Sequence, residues 1–156
     1  MHGVGPLVLR LGAGAIFVAH GAQKLFGIWG GGGPSGTAAF FDALGLAPAY
    51  PLAIAVGLAE FGGGLLLVAG AYTASAAAVL AIDMLVAMWK VHLQYGFFLN
   101  GAADPGQGHG IEFTLMLTAA LVSLMVTGAG SASVDEWRHR SSESLAAGRA
   151  RLRSGI

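Results

Sequence analysis

Apolar residues fall into four long runs separated by short stretches of glycine, proline and polar side chains. A bilayer span needs about 20 mostly apolar residues. Four stretches qualify, from about Leu7 to Phe26, Ala49 to Ala71, Thr73 to Tyr95 and Ile111 to Thr127. Each is bounded by turn chemistry. A run of four glycines lies between Gly27 and Gly36, Pro48 and Pro51 open the second stretch, Asp104-Pro105-Gly106 sits before the fourth, and Gly128-Ala129-Gly130 closes it. Glycine admits positive φ and proline removes a backbone donor, so both punctuate helices. Open strand edges are unsatisfied in lipid, so these runs are predicted to be helices. Arg10 near the start of the first run gives it a faint likeness to a signal peptide. Lys24 and the glycine-rich loop follow it, without a short apolar core and small-x-small cleavage site, so it is expected to remain as the first helix.

Two shorter patterns lie outside the spans. In the first loop, Ser35 or Thr37 is placed to cap a turn of helix. Ala38, Phe40, Phe41, Leu44 and Leu46 give that helix an apolar face with Asp42 toward water. It is expected to lie at the membrane interface or to fold back over the bundle. In the tail, Ser133-Val134-Asp135-Glu136 is a capping-box pattern. Val134, Trp137, Leu145 and Leu152 then offer one face to a membrane surface, with arginines reaching anionic headgroups; a frayed polar tail is the alternative. The expected fold class is therefore all-α: an integral membrane four-helix bundle, with a short interfacial helix in the first loop and an amphipathic C-terminal tail. Residues 1–130 form the four-helix domain and residues 131–156 the tail.

Composition agrees with this pattern and excludes others. The 156 residues are 55% hydrophobic and 10% charged, with a mean hydropathy of +0.70, whereas soluble domains carry about a quarter charged residues. With a formal net charge of zero, the chain is neither disordered nor built to bind nucleic acid. Having no cysteine, it has no disulfide framework, thiolate metal site or thiol redox chemistry of its own.

Lysine and arginine placement sets the expected orientation. Arg138, Arg140, Arg149, Arg151 and Arg153 crowd the tail, while the loops at 28–48 and 96–110 hold neither residue. Both termini are expected in the cytoplasm and both long loops outside, in a bacterial cytoplasmic membrane.

Charges within spans are costly, about 2.5–3.5 kcal/mol each on insertion scales, yet Arg10, Lys24, Glu60, Asp83, Lys90 and Glu112 are kept. At a rise of about 1.5 Å per residue, Glu60 and Asp83 fall near mid-span. His20, Gln23, Lys24, Lys90, His92 and Glu112 fall toward the outer end. His20 and Lys24 are i,i+4 neighbours with Gln23 beside them. Gly57, Glu60 and Gly64 share a face whose small residues admit a neighbouring helix. Glu60 is therefore expected inside the bundle, paired with Lys24, Lys90, His20 or His92. The blander reading has Lys24 and Lys90 snorkelling to headgroups and Glu112 serving only the helix dipole; Glu60 and Asp83 lie too deep for either.

Aromatic residues cluster at the same end, among them Phe17, Phe26, Trp29, Phe40, Phe41, Trp89, Tyr95, Phe97 and Phe98. They read either as an interfacial belt or as the walls of a cleft. Such a cleft would be formed by Phe17, His20, Lys24, Trp89, Lys90 and His92 and would suit a quinone ring, with polar tips on its carbonyls. His20 and His92 alone lack a spacing diagnostic of haem or copper, and no metal site is expected. The four-glycine run follows no strand and lacks the terminal lysine of a phosphate loop.

The ordered set of segments resembles the DoxX family of bacterial four-helix membrane proteins. The likeness rests on Arg10-Leu11, on His20-Gly21-Ala22-Gln23-Lys24-Leu25-Phe26-Gly27, and on Gly36-Thr37-Ala38-Ala39-Phe40-Phe41 with Leu44-Gly45-Leu46. It continues through Leu58-Ala59-Glu60-Phe61-Gly62-Gly63-Gly64, Val91-His92 with Gly96-Phe97-Phe98, Glu112, and the stretch from Gly128 to Asp135. It covers about residues 5 to 137. The family name comes from the small membrane subunit of a thiosulfate:quinone oxidoreductase, and other members resemble membrane anchors of oxidoreductase complexes. What this implies is a membrane subunit, not catalytic alone and without a resident cofactor, contacting quinone in the outer half of the bundle. Its partners would be the lipid bilayer, other membrane or membrane-associated subunits that carry the redox groups, and further copies of itself. Two other readings remain: an accessory bundle that scaffolds a larger complex, and a proton conduit using Glu60 and Asp83, which no inverted repeat favours.

Overall fold

A computed structural model describes residues 4–154, with side chains as far as residue 145 and at 147. Among these residues there are six α-helices and no strand. They are α1 (Gly5–Phe26), α2 (Gly33–Ala43), α3 (Ala49–Ala69), α4 (Thr73–Ala87), α5 (Glu112–Thr127) and α6 (Val134–Ser154). The chain continues beyond α4 through a π-helical turn, Met88–His92, and a 3₁₀ turn, Leu93–Tyr95. The third apolar run is thus one continuous helical element that changes its winding near the polar residues Lys90 and His92.

Three elements are long and apolar enough to cross a membrane: Gly5–Phe26, Ala49–Ala69 and Thr73–Tyr95. The fourth, α5, has 16 residues, or about 24 Å at 1.5 Å per residue, against a hydrocarbon core of about 30 Å. Outward-facing positions such as Leu58, Ile82, Met116 and Val126 are exposed and apolar, as a lipid-facing surface requires.

Helices α1 and α3 pack antiparallel through glycines. The buried face of α1 carries Arg10, Ala13, Gly14, Phe17 and Gly21, and that of α3 carries Ala53, Gly57, Glu60, Gly64 and Leu67. A Cβ added at Gly64 would stand 2.7 Å from the Val18 nitrogen, and one at Gly14 would stand 2.8 Å from the Gly64 oxygen. Only glycine lets the two backbones approach so closely. The main core joins this pair to α4 and α5 through Phe17, Leu67, Ala77, Leu80, Leu121 and Leu124.

The helix in the first loop folds back over the bundle. Ala38 and Phe41 of α2 pack with Ala53, Leu52 and Val56 of α3. It begins at Gly33-Pro34, ahead of the caps expected at Ser35 or Thr37. Proline suits a first helical turn, where its missing N–H is an orphan anyway, and Thr37 is instead buried in the helix.

The end of the bundle opposite the long loops is tied by polar contacts. Arg10 is 2% exposed. Its guanidinium donates to the Val68 carbonyl at 3.0 Å and also to the Ala132 carbonyl, so the α1 residue expected to mark orientation is also a buried strut between α3 and the start of the tail. Gly70, at φ 66°, turns the chain from α3 to α4, and a Cβ there would meet the Arg10 guanidinium. Asp135 accepts hydrogen bonds from the Tyr72 and Thr73 amides at 2.7 and 2.9 Å. The tail thereby supplies the N-terminal cap that α4 lacks in its own sequence. Ser133 accepts from the Glu136 amide at 3.2 Å, as the capping pattern predicts, and the Glu136 carboxylate takes Arg140 at 2.8 Å. In α6, Val134, Trp137 and Leu145 are exposed; the Leu152 side chain lies outside the described residues.

Candidate functional site

Toward the loop end of the bundle, α1 to α5 line a cavity of about 480 Å³. Its walls are mostly apolar: Ile16 and Phe17 of α1, Phe40 and Phe41 of α2, Leu52 and Val56 of α3, Met84 and Ala87 of α4, and Phe113 and Leu117 of α5. Its size lies within the range of about 300–1,000 Å³ typical of small-molecule sites. The back-folded α2 forms one wall, so the loop helix is part of the site.

Polar groups enter from several elements. Lys24 Nζ is 2.5 Å from Glu60 Oε2, joining α1 to α3. The Glu60 side chain is 4% exposed and that of Lys24 24%. Of the four partners expected for Glu60, Lys24 is the one it takes. The i,i+4 spacing that sets His20 one turn below Lys24 brings His20 to the cavity rim, where it is exposed. From α4, Asp83 lines the cavity, with Oδ2 buried and reached by no donor. Lys90 and His92 reach it from the π-helical turn. Lys90 Nζ lies 4.5 Å from the centre of the Trp89 ring and, among the described residues, has no carboxylate partner.

The loop from residue 96 to 111 completes the mouth. His109 and Gly110 line the cavity, a placement that sequence reasoning missed because nothing in a polar, glycine-rich loop marks one histidine over its neighbours. His92 Nδ1 stands 2.8 Å from the His109 carbonyl oxygen. A carbonyl only accepts, so Nδ1 carries the proton and Nε2 keeps its lone pair when the ring is neutral. His109 Nδ1 accepts from the Asn100 amide at 3.1 Å, which leaves Nε2 of that neutral ring as its donor. The two histidines at the mouth thus hold opposite tautomers. The loop itself is held by Asn100, whose amide donates to the Asp104 and Gln107 carbonyls at 3.0 and 2.8 Å.

Three residues expected among these groups lie elsewhere. Trp89 is 66% exposed and does not line the cavity; in the wound turn it points away while its neighbour Lys90 points in. Gln23 donates to the Trp29 carbonyl at 3.0 Å. With His20, Lys24 and Phe40 it lines a shallower pocket of about 290 Å³ beside the glycine loop. Glu112 accepts from the Leu99 amide at 2.7 Å and so fixes the loop above α5. The cavity therefore gathers His20, Lys24, Glu60, Asp83, Lys90 and His92 of the predicted cluster, together with Phe17, and adds His109.

The DoxX family model matches residues 5–93, more than half of the chain. The chain belongs to the DoxX family. That match spans α1 to α4 and the π-helical turn, and so covers every titratable cavity residue except His109. Together with the apolar helices it makes this a multi-pass membrane protein. Among curated proteins, the chain is 29% identical over 132 residues to "Putative oxidoreductase CatD" of Bacillus subtilis (strain 168), a match covering 85% of each chain. No solved structure matches it.

Proposed function

We propose that this protein is the membrane subunit of an oxidoreductase complex and that its cavity receives the ring of a quinone. The observation that carries the reading is an apolar cavity of ring-accommodating size in which only a few polar groups converge. The oxidoreductase name of the Bacillus relative supports the coarser half. Phe17, Phe40 and Phe41 offer flat apolar surface to a ring. Lys24 is committed to Glu60, so Lys90 is the cation free to approach a ring oxygen, and His20 stands at the rim to donate a further hydrogen bond. On this reading a partner subunit carrying the redox group supplies the electrons. The protein sits in a bacterial cytoplasmic membrane with its cavity mouth on the extracytoplasmic side.

The test is titration of purified protein, in mild detergent, with a soluble quinone analogue. A hydrogen bond involving a charged group contributes about 1.5–3 kcal/mol, so Lys90→Ala is expected to weaken binding at least about tenfold, and His20→Ala to weaken it less. Binding unchanged in both variants would remove the ring from this cavity. No binding at all, with the chain still assembled among other subunits, would favour a scaffold.

A further inference from the structure

Among the described residues, Asp83 is the cavity carboxyl group that no ion pair takes up. Lys24 neutralises Glu60 at 2.5 Å. Asp83 lines the same cavity as that pair, and its Oδ2 is buried with no hydrogen-bond partner. Two facing carboxylates repel, and neither can donate to the other unless one carries a proton. An ionised carboxylate with an unpartnered oxygen at this depth is also strongly disfavoured. The other titratable groups facing Asp83 across the cavity do not supply the missing charge. His20 lies at the rim of α1, Lys90 lines the cavity without an ion pair to Asp83 and with its Nζ 4.5 Å from the Trp89 ring centre, and His92 and His109 are bonded to the loop backbone. The surfaces of α2 and α5 that face the cavity bring apolar residues and Thr114, but no charge.

We propose that Asp83, with Glu60 beside it, is the proton-exchange site of the cavity: the two carboxyl groups hold one proton between them, and Asp83 presents it to a carbonyl oxygen bound there. The proton rests on the carboxyl pair when no ligand is bound. It becomes a hydrogen bond to the ligand oxygen when one enters, while Lys24 continues to balance the remaining negative charge. No electron transfer is involved in this step. The assignment of the proton stands on the ion pair, which takes up Lys24, and on the buried, unpartnered Asp83 oxygen; the identity of the acceptor rests on the quinone reading above.

Infrared spectroscopy of the ligand-free protein in detergent tests the proton directly. The wild type is expected to show the carbonyl stretch of a protonated carboxylic acid under conditions in which exposed carboxyl groups are ionised. That band should shift in D₂O and on ¹³C labelling of aspartate. It should disappear in Asp83→Asn and persist in Glu112→Gln. Isotope labelling of the unmutated chain keeps the test decisive where Asp83→Asn folds poorly, since the other aspartates, at 42, 104 and 135, lie outside the cavity. A band absent from the wild type, insensitive to aspartate labelling, or intact in Asp83→Asn would overturn the assignment. The second readout is the affinity of a soluble quinone analogue against pH. It is expected to fall about tenfold per pH unit once the proton leaves the wild type and to stay flat in Asp83→Asn, which always has a donor. Identical pH profiles in the two proteins would refute the proton's role toward the ligand. An aspartate band without any quinone binding would uphold the proton site and reject the quinone.

Discussion

Glu60 is held inside the bundle by a single cation, and the consequences of removing either partner differ. The Glu60 side chain is 4% exposed, so Lys24→Ala leaves a carboxylate buried beside Asp83 without compensation. Breaking a buried pair in this way costs about 3–5 kcal/mol. Glu60→Ala leaves a lysine that is a quarter exposed and long enough to reach the headgroups, so its cost falls at or below the low end of that range. Thermal unfolding in detergent, followed by size-exclusion chromatography, should therefore rank wild type above Glu60→Ala and Glu60→Ala above Lys24→Ala. Equal melting of all three would show that the pair contributes nothing. Glu60 was readable from the sequence because an acid flanked by Gly57 and Gly64 on one helical face has little choice but to turn inward. Its specific partner was not, since spacing along one chain does not measure distance between two helices. Trp89 illustrates another limit: at about 100° per residue, Lys90 falls nearly in line with Asp83 and Trp89 about 120° away, so an aromatic residue next in sequence to a cavity lysine stands outside the cavity.

At the scale of helices, close approach and capping in trans decide the fit. A Cβ at Gly21 would collide with the Phe61 backbone on α3, whereas nothing lies within 4 Å of one at Gly12 or Gly62. Gly21→Ala is expected to lose about 1–3 kcal/mol by overpacking, and Gly12→Ala and Gly62→Ala to be neutral or mildly stabilising, since alanine is the better helix former. Melting temperatures of the three variants check this, and a well-tolerated Gly21→Ala would contradict the close packing of α1 on α3. The clasp between tail and bundle carries a pH signature. Partial burial of the Asp135 carboxyl alone would push it up, but the Thr73 and Tyr72 amides, with Arg138 nearby, outweigh this and hold it below the usual carboxylate range. A group lowered on folding stabilises above its unfolded value, about 3.9, and that contribution is lost as pH falls through the lower folded value. Asp135→Ala should cost about 0.5–2 kcal/mol, as loss of a helix cap does, at neutral pH and close to nothing once strong acid has protonated the wild type. Melting curves at the two pH values make the comparison; a deficit that persists in acid would argue against the clasp. The sequence offers Ser133 and Glu136 as local capping residues; the Ser133 hydroxyl accepts from the Glu136 amide, and the Glu136 carboxylate takes Arg140. That Asp135 reaches back across more than 60 residues to α4 has no local signal, because its partners are backbone amides with no identity of their own.

At the scale of the molecule, the structure gives the charge pattern a geometry. The two long loops, the cavity mouth and the histidines His92 and His109 share one end of the bundle. Arg10, the α3–α4 turn and the arginine-rich tail share the other. The four apolar runs made the bundle legible because period and length are local properties. The cavity was only half legible, since its walls come from five helices and a loop that meet only on folding. The proposed orientation, with the tail end in the cytoplasm, rests on a rule about lysine and arginine: the tail holds Arg138, Arg140, Arg149, Arg151 and Arg153, and the loops at 28–48 and 96–110 hold no lysine or arginine. Acidic residues weigh little in that rule, so Asp42 and Asp104 do not disturb it. The chain has no cysteine, and single cysteines therefore report without background. Ala102 in the second long loop and Ser142 in the tail are both exposed. In intact cells a membrane-impermeant maleimide should label Ala102→Cys and leave Ser142→Cys unlabelled until the membrane is opened. The reverse pattern would place the cavity mouth in the cytoplasm. The orientation also decides where the proton proposed for Asp83 would exchange. With the mouth outside, acidifying the outer medium of intact cells or oriented vesicles should change analogue binding, while acidifying only the inner compartment should not.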